Sequence, residues 1–529
     1  MISKTGTNFD IILITAEYYD DHPLSPIGMI AKVLENAGFS IGIIEMPKTK
    51  EDFTRLGTPK LFFGVGSGIA DSMVNNYTPL KKKRTEDHFN RTLEIPDRAI
   101  IYYCNKIREY FKGVKIVIGG IESSLRRFAH YDYWDNDIRK SIILDSRADI
   151  LVWGNGEKQA IEIANRLKNG EDLKGILGTS ILSKELPEGF VKMPSYKEVK
   201  EDKKKFMIMH KLINNRTNLA QEYDNNYVLQ YKFPKYTSKD LDEVYSLNFT
   251  RELHPESFLK MAKFSVVTHR GCYGACSFCS IALHQGERII SRSEENILQE
   301  IKQITKMKDF KGYLDDLGGP SANMYGTDCV AYYHCIKHCM TCPASIRSHT
   351  RIINLMKRAR EVPGIKKVFV RSGIRYDIAA DSEDYIREIS LHHTSGNLKI
   401  APEHVTPKVL EYMNKNVTNK LDKFIDIHKK INKGTKQGLS YYFMIAHPGD
   451  NIEETKKLKE KMKTLNVDAF QLFTPTPLSD STAMYYTSLD MNLKPMDIVH
   501  DYKTKKEMKR IMLEGSKCAK KIEGDEYLL

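Results

Sequence analysis

The sequence predicts an α/β protein with two parallel-stranded parts: an N-terminal doubly wound sheet and a C-terminal (βα)6 partial barrel. Three observations predict it. Short apolar runs alternate with helical patterns over residues 9–160 and again from Phe264 onward, the rhythm of βαβ units. Several of these runs end in glycine-rich turns, Gly119-Gly120 and Gly154-Asn155-Gly156-Glu157 among them, where open α/β sheets bind ligands. The 529 residues allow about three domains at roughly 150 residues each, or fewer where one of them is a barrel.

In the first series, Ile11-Ile12-Leu13-Ile14 suits a buried parallel strand. Met29, Ile30, Val33 and Leu34 then repeat with helical spacing, and Gly38 stops them. Strands are expected at 41–44, 61–63, 116–118 and 150–152. Residues 185–255 differ. They are rich in Lys, Asp, Glu and Asn with scattered tyrosines, and Pro234 and Pro255 interrupt them, which reads as a partly helical connecting region. The second series opens with a strand at 264–268. Ser293 is a helix N-cap candidate, and Ile297, Leu298, Ile301 and Ile304 share one face of the helix after it. Further strands are expected at 312–315, 367–370, 398–400, 441–445 and 469–473. One intervening helix should start at Thr406 with Pro407 in its first position, and another should cover 452–465. Right-handed crossovers between six such strands give the partial barrel, with ligands at the C-terminal strand ends. The expected layout is an α/β domain over 1–184, a connecting region over 185–255, the barrel over 256–485 and a basic tail over 486–529.

Hydrophobic content of 41% and charged content of 28% are those of a soluble globular protein. No run of about 18 apolar residues occurs, so no membrane span is expected. The N-terminus lacks the pattern of a signal peptide, and a cytoplasmic location is expected. The net charge of +13 comes largely from lysine, in Lys81-Lys82-Lys83-Arg84, Lys203-Lys204-Lys205 and the stretch after Lys503. Aromatic residues do not interleave with these runs, which favours solvated surface over a nucleic-acid face. RNA is retained as a weakly supported partner. Seven of the nine cysteines fall between Cys272 and Cys342. The clustering and the odd count read as metal binding in a reducing compartment, not as a disulfide framework.

Cys272, Cys276 and Cys279 have the spacing Cys-x-x-x-Cys-x-x-Cys, directly after the strand at 264–268, and the next cysteine is Cys329. A cubane 4Fe–4S cluster normally takes four thiolates. Three leave one iron open, and S-adenosylmethionine (SAM) can occupy it. Phe278, just before the third cysteine, is placed to pack on the adenine of SAM. Structural zinc is the rival, with His269 or His284 completing a tetrahedron, but zinc prefers cysteines in pairs. A second set, Cys335, Cys339 and Cys342, repeats the spacing. It lacks a preceding apolar strand, and Cys329 offers it a fourth thiolate. The first set is therefore assigned to the cluster that meets SAM. For the second, an auxiliary iron–sulfur cluster and structural zinc are equally weighted, with unligated buried cysteines third.

These residues resemble the radical SAM superfamily, and more closely its YgiQ-type family, over nearly the whole chain. In the N-terminal part the resemblance rests on Asp21-His22-Pro23, Gly119-Gly120-Ile121-Glu122-Ser123-Ser124-Leu125-Arg126-Arg127 and His130-Tyr131-Asp132-Tyr133-Trp134. In the barrel it rests on the first cysteine loop, Gly318-Gly319-Pro320-Ser321, Ser372-Gly373-Ile374-Arg375-Tyr376-Asp377, Ala401-Pro402-Glu403-His404 and Ala446-His447-Pro448-Gly449. The resemblance implies that Cys272, Cys276 and Cys279 hold the cluster. It sets Gly318-Gly319 where the superfamily has a Gly-Gly-Glu whose backbone bonds the methionine amino group of SAM, with Pro320 here in the third place. Ser372 and Arg375 resemble positions that hold ribose and carboxylate. Glu403 would meet SAM or substrate, or else serve a helix start. The N-terminal domain resembles a cobalamin-binding domain. In the histidine loop of such domains a glycine belongs where this chain has Ser25, and Pro23 intrudes, so the expectation is the fold without cobalamin. The His130–Trp134 stretch would line a pocket or form an aromatic interface.

The function implied is reductive cleavage of SAM to start radical chemistry on an unidentified substrate, with electrons from a donor such as flavodoxin or ferredoxin. RNA or peptide modification such as methylthiolation, using a second cluster, is one alternative. A non-catalytic, zinc-containing nucleic-acid-binding protein is the other.

Overall fold

A computed structural model of the chain describes all residues except 87–94, 330, 332–334, 336–338, 341, 343–346, 416–418 and 515–529. Cys518 of the basic tail lies outside the described residues. The chain divides into two units. One comprises residues 1–235, 247–260 and 474–494; the other comprises 236–246, 261–473 and 495–529.

The first unit is built on a ten-stranded sheet. Ile11–Thr15 lies at the centre of its parallel half, flanked by Ile41–Glu45 and Phe62–Gly66. Ile2–Ser3 pairs outside Ile41–Glu45, while Lys115–Ile118 and Ile150–Val152 continue the other side in parallel. This is the expected doubly wound sheet. One layer of its core packs Ile11, Leu13, Ile41, Ile43, Phe62 and Ile150 against Ala31, Leu34, Ala160 and Ile163 of two helices. Each fully buried side chain of this kind contributes about 1.5–3 kcal/mol. The helix Pro26–Asn36 starts where Pro26 pre-sets the backbone and the Ser25 hydroxyl accepts the Gly28 N–H.

The sheet extends beyond the expected domain. Thr179–Ser183 pairs antiparallel with Ile150–Val152, the hairpin Leu219–Tyr223 and Asn226–Gln230 adds to it, and Val191–Lys192 closes the edge. The stretch 185–255, expected as a partly helical connection, thus contributes three strands to the sheet beside its helices Tyr196–Glu201, Lys203–Leu212 and Ser238–Tyr245. The polar composition masked the hairpin, whose buried residues include Gln221 and Gln230 on neighbouring strands. The chain leaves the second unit at Thr474, before the expected barrel end. It returns to it for the helix Tyr502–Leu513, where Lys505, Met508, Ile511 and Met512 are buried, so part of the expected tail is packed structure.

The second unit carries six successive parallel strand positions. Ser265–Val267 pairs with Asp316–Gly318. Tyr313–Leu314 pairs with Lys367–Val368, and a bridge joins Ile374 to Ile400. Asn397–Glu403, Gly438–Ile445 and Val467–Leu472 complete the series. The helices fall between the strands. Ser293 caps Glu294–Ile304 and Pro407 opens Pro407–Tyr412, as their sequences require. The result is the expected partial barrel.

Candidate metal centre

The first cysteine loop leaves the strand Ser265–Val267 through His269–Arg270, which pairs with Ile290–Ser291. Gly271 sits at φ +86°, and a Cβ there would lie 1.9 Å from the Arg288 carbonyl oxygen, so only glycine lets the loop turn here. The Cys272 N–H donates to Gly286 O at 3.1 Å, and the Cys279 N–H to Cys276 O at 3.0 Å. Ser277 anchors the loop to Tyr412 and Met413: its hydroxyl donates to Tyr412 O at 2.6 Å and its N–H to Met413 O at 3.1 Å.

Each of the three sulfurs faces one N–H donor. Gly274 N–H serves Cys272 and Ile281 N–H serves Cys279. Arg375 Nη1 donates to Cys276 Sγ at 3.1 Å. Burial pushes the Cys272 thiol up to about 11 and the Cys279 thiol up to about 12, and the neighbouring cysteine charges push the same way. Such thiols hold their protons until a metal displaces them. Three mutually repelling sulfurs, each met by a donor, form a set that fits an iron–sulfur cluster.

The residues around the trio form a charged ring. Arg375 Nε and Nη2 donate to the two Asp377 carboxylate oxygens at 2.9 and 2.6 Å. Its backbone is fixed by Asn323, whose Oδ1 accepts the Arg375 N–H at 2.8 Å. A Cβ on Gly274 would stand 2.7 Å from Arg375 Nη1, so this glycine makes room for the guanidinium. Burial alone would raise Asp377, but Arg375, and then Lys415, hold it below the usual carboxylate range. Glu403 ends its strand at φ +69°, and its Oε1 lies 3.4 Å from Lys415 Nζ. Its Oε2 has no hydrogen-bond partner among the described residues. Burial raises the Glu403 carboxyl despite the Lys415 and Arg375 charges. Its observed partner is thus a lysine, not a helix start.

The other sequence candidates lie on the same strand ends. Ser372 donates its hydroxyl to Asp316, which also accepts the Arg371 and Ser372 N–H groups at 2.7 and 3.1 Å. A Cβ on Gly318 would strike the Ser372 hydroxyl at 2.4 Å, and one on Gly319 would strike the His269 ring at 2.6 Å. His269, considered above as a zinc ligand, has Nδ1 2.9 Å from the Thr268 hydroxyl. Phe278 meets His447 edge to face at 6.1 Å between ring centroids, and His447 meets Phe473 at 5.2 Å. Sequence reasoning missed Lys415 and gave Asp377 and Asn323 no role. Asp377, two residues from Arg375, was the readable signal; Lys415, just beyond a short helix, had none.

In the first unit, His130–Asp132 of the His130–Trp134 stretch forms a buried strand paired antiparallel with Asp137–Arg139. Tyr131 stacks on Tyr486 at 4.7 Å and Tyr133 meets Tyr485 at 5.8 Å. Arg126 is ion-paired with Asp71, and Arg98 Nη2 lies 2.9 Å from Asp132 Oδ2. This is an aromatic packing layer within the unit.

A loop with the spacing Cys-x-x-x-Cys-x-x-Cys after the first strand of a partial barrel points to the radical SAM class. Residues 1–268 match the family model described as Radical SAM N-terminal, and residues 266–462 match that of the Radical SAM superfamily; the chain belongs to this superfamily. Among its relatives, a UPF0313 protein of Clostridium botulinum (strain 657) is 41% identical, the match covering 96% of this chain and 85% of the relative. One of Clostridium perfringens (strain ATCC 13124) is 43% identical, covering 97% and 83%. In fold, the chain is similar to the radical SAM methyltransferase TsrM of Kitasatospora setae with cobalamin and a [4Fe–4S] cluster bound. The TM-score is 0.51 at 14% identity, over 89% of this chain and 77% of that one.

That likeness corrects one expectation. The exclusion of cobalamin rested on Pro23 and Ser25 in a single loop, yet a protein sharing the overall fold carries cobalamin, and the matched N-terminal model spans the domain in question. One loop is too narrow a ground, and the exclusion is withdrawn. In the loop itself, Ser25 caps a helix, His22 Nδ1 accepts the Leu24 N–H at 3.1 Å and His22 Nε2 lies 3.0 Å from Arg251 Nη1. As placed, His22 serves the loop.

Among the described residues, no helix is long and apolar enough to cross a membrane.

Proposed function

We propose that this radical SAM enzyme cleaves SAM reductively at a 4Fe–4S cluster held by Cys272, Cys276 and Cys279, and so starts radical chemistry on a substrate bound at the C-terminal strand ends. The observation that carries the reading is the trio of sulfurs with one N–H donor each, on the first barrel strand, in a chain whose next cysteine is 50 positions beyond Cys279. When bound, the cluster supplies one electron to the SAM sulfonium, and the difficult chemistry belongs to that cofactor pair. The chain's own residues bind, orient and exclude water. Gly274 and Ile281 N–H groups and the Arg375 guanidinium balance thiolate charge. Gly318 and Gly319 keep the backbone open beside the loop. Glu403, with an unshared buried oxygen, is the group on this floor ready to accept a hydrogen bond from the SAM amino or ribose groups. A one-electron donor of the flavodoxin or ferredoxin class and a cytoplasmic setting complete the proposal. Radical SAM membership favours this over a non-catalytic zinc protein.

The test is anaerobic. Purified protein with dithionite and SAM should yield 5′-deoxyadenosine and methionine, and Cys276→Ala should yield neither. Wild-type protein that binds zinc in place of iron at this trio, or cleavage that survives Cys276→Ala, would overturn the reading.

A further inference from the structure

We infer that the inner wall of the barrel carries a binding strip for a nucleotide unit, with a flat base against Tyr313 and Phe369 and a phosphate at Arg371. The inference rests on the proposed function only in taking this barrel as the substrate site. The strands Tyr313–Leu314 and Lys367–Val368 pair in parallel, Tyr313 opposite Lys367 and Leu314 opposite Val368. The pairing continues from the Phe369 N–H to Leu314 O at 3.1 Å and from the Leu317 N–H to Phe369 O at 2.9 Å. Side chains of extended strands point alternately to opposite faces. Leu314, Val368 and Val370 are buried, and the helix Thr350–Glu361 packs along this pair. Tyr313, Phe369 and Arg371 hold the alternate positions. In a barrel wrapped by its helices, that other face is the inner wall. Tyr313 is 48% exposed, and Lys366 and Arg371 are exposed as well.

Rings and cations alternate along the strip. Lys366 Nζ lies 5.9 Å from the Tyr313 ring centroid. The Tyr313 and Phe369 rings lie within 15° of parallel, 6.5 Å apart, and the Arg371 guanidinium carbon is 5.2 Å from the Phe369 centroid. Among the described residues, neither Lys366 nor Arg371 has a carboxylate within ion-pair distance. The Asp316 carboxylate, whose charge reaches Arg371, is already engaged by the Ser372 hydroxyl and by the Arg371 and Ser372 N–H groups. The wall continues where Lys399 Nζ lies 5.8 Å from the Tyr442 ring, and Tyr442 is within reach of the Glu403 charge. Exposed rings interleaved with unpaired cations suit a base that stacks and a phosphate that pairs. An acidic protein would answer the cations and leave the rings unused. Along the sequence, aromatic residues do not interleave with the lysine runs; the interleaving arises only across two paired strands.

The test is binding to the full chain, cluster-loaded and unreduced, without SAM. A labelled single-stranded RNA of mixed sequence is followed by fluorescence anisotropy, with adenosine 5′-monophosphate and poly-L-glutamate as competitors. RNA should bind, the nucleotide should displace it, and poly-L-glutamate at matched ionic strength should do so at least about tenfold less well. Tyr313→Ser and Phe369→Leu should each weaken binding about fivefold or more by removing a stacking ring, while Tyr313→Phe keeps the ring and should bind as the wild type does. Arg371→Gln should weaken binding and lower its salt dependence by about one phosphate contact. Lys204→Gln, in a lysine run of the first unit, should change neither. RNA held about tenfold or more tighter than the free nucleotide identifies a residue of a strand as the occupant, and equal affinities identify a free nucleotide. No binding, wild-type affinity in Tyr313→Ser, or equal displacement by poly-L-glutamate, the mark of an acidic protein partner, would overturn the inference. Cys276→Ala should keep this binding while losing SAM cleavage, so failure of the strip and failure of the cluster reading are distinguishable.

Discussion

Arg375 donates from Nη1 to Cys276 Sγ at 3.1 Å while its other edge grips Asp377 through two bonds of 2.9 and 2.6 Å. The guanidinium thus ties a cluster thiol to a buried carboxylate. A donor to a ligand sulfur stabilises the more negative, reduced cluster and so raises its potential. Arg375→Gln should lower the midpoint potential of the first cluster, read by redox titration under electron paramagnetic resonance. It also strands Asp377 in a buried site, at a stability cost of about 3–5 kcal/mol. Arg375→Lys keeps a charge but loses the fork, so it should recover stability before potential. An unchanged potential in both variants would deny Arg375 this role.

Gly274→Ala tests the same contact without touching a charge. The added Cβ would stand 2.7 Å from Arg375 Nη1 and 3.4 Å from Cys272 Sγ. The guanidinium must move, so the potential should fall as in Arg375→Gln, with a packing cost of about 1–3 kcal/mol. Wild-type potential in Gly274→Ala would show that Arg375 yields without losing its sulfur.

These contacts mark how far the sequence could be read. The strand that leads into the cysteine loop was legible because an apolar run is a local pattern. So were the parallel strands, where Ile11-Ile12-Leu13-Ile14 and its counterparts are apolar on both faces. The hairpin Leu219–Tyr223 with Asn226–Gln230 was not, because polar residues such as Gln221 and Gln230 are buried within it and the strand Thr179–Ser183 that pairs with Asn226–Gln230 lies more than 40 residues away. Lys415 was illegible for a related reason. Its meaning comes from Glu403 and Asp377, which the fold brings to it across separate strand ends, and no spacing encodes that meeting. The cobalamin expectation failed by leaning on one loop where the whole fold carried the likeness.

Acid should unfold the protein through its buried histidines. Burial pushes His404 down to about 4 and His447 to about 3, and His269, His349 and His428 to about 4. A group whose folded value lies below its unfolded value of 6.5 holds stability above 6.5 and loses it as pH falls toward the folded value. For His404 that is on the order of 3 kcal/mol. Asp450 opposes it. Burial raises that carboxyl from 3.8 to about 7, so its contribution is fullest below 3.8 and is lost as pH rises through about 7. His404 Nε2 and Asp450 Oδ1 are 3.7 Å apart, too far for a hydrogen bond, and both groups are pushed toward neutrality, so they form no ion pair at pH 7. Asp450→Asn should therefore raise the melting temperature at pH 8 and steepen its fall between pH 6.5 and 4. A parallel shift at every pH would show that Asp450 does not titrate in this range.

The pair Lys415 and Glu403 allows the sharpest separation of structure from chemistry. Lys415 Nζ also donates to Ala401 O, so the lysine closes the strand end that carries Glu403 while leaving Glu403 Oε2 unshared. Both side chains are buried. Lys415→Met leaves a buried carboxylate without its cation and should cost about 3–5 kcal/mol at neutral pH. It should cost less at pH 5, because burial already favours the protonated Glu403. Glu403→Gln removes the charge and should cost less at neutral pH. The double variant should recover most of the loss, a coupling of at least about 1 kcal/mol in the thermodynamic cycle. Activity should not recover with it. If Oε2 receives a hydrogen bond from SAM, Glu403→Gln and the double variant should both bind SAM at least about tenfold more weakly, the cost of a lost charge-assisted bond, measured on the cluster-loaded, unreduced protein. Lys415→Met, once folded, should bind nearly as the wild type does. Equal SAM affinity in all four proteins would make Glu403 a purely structural partner of Lys415.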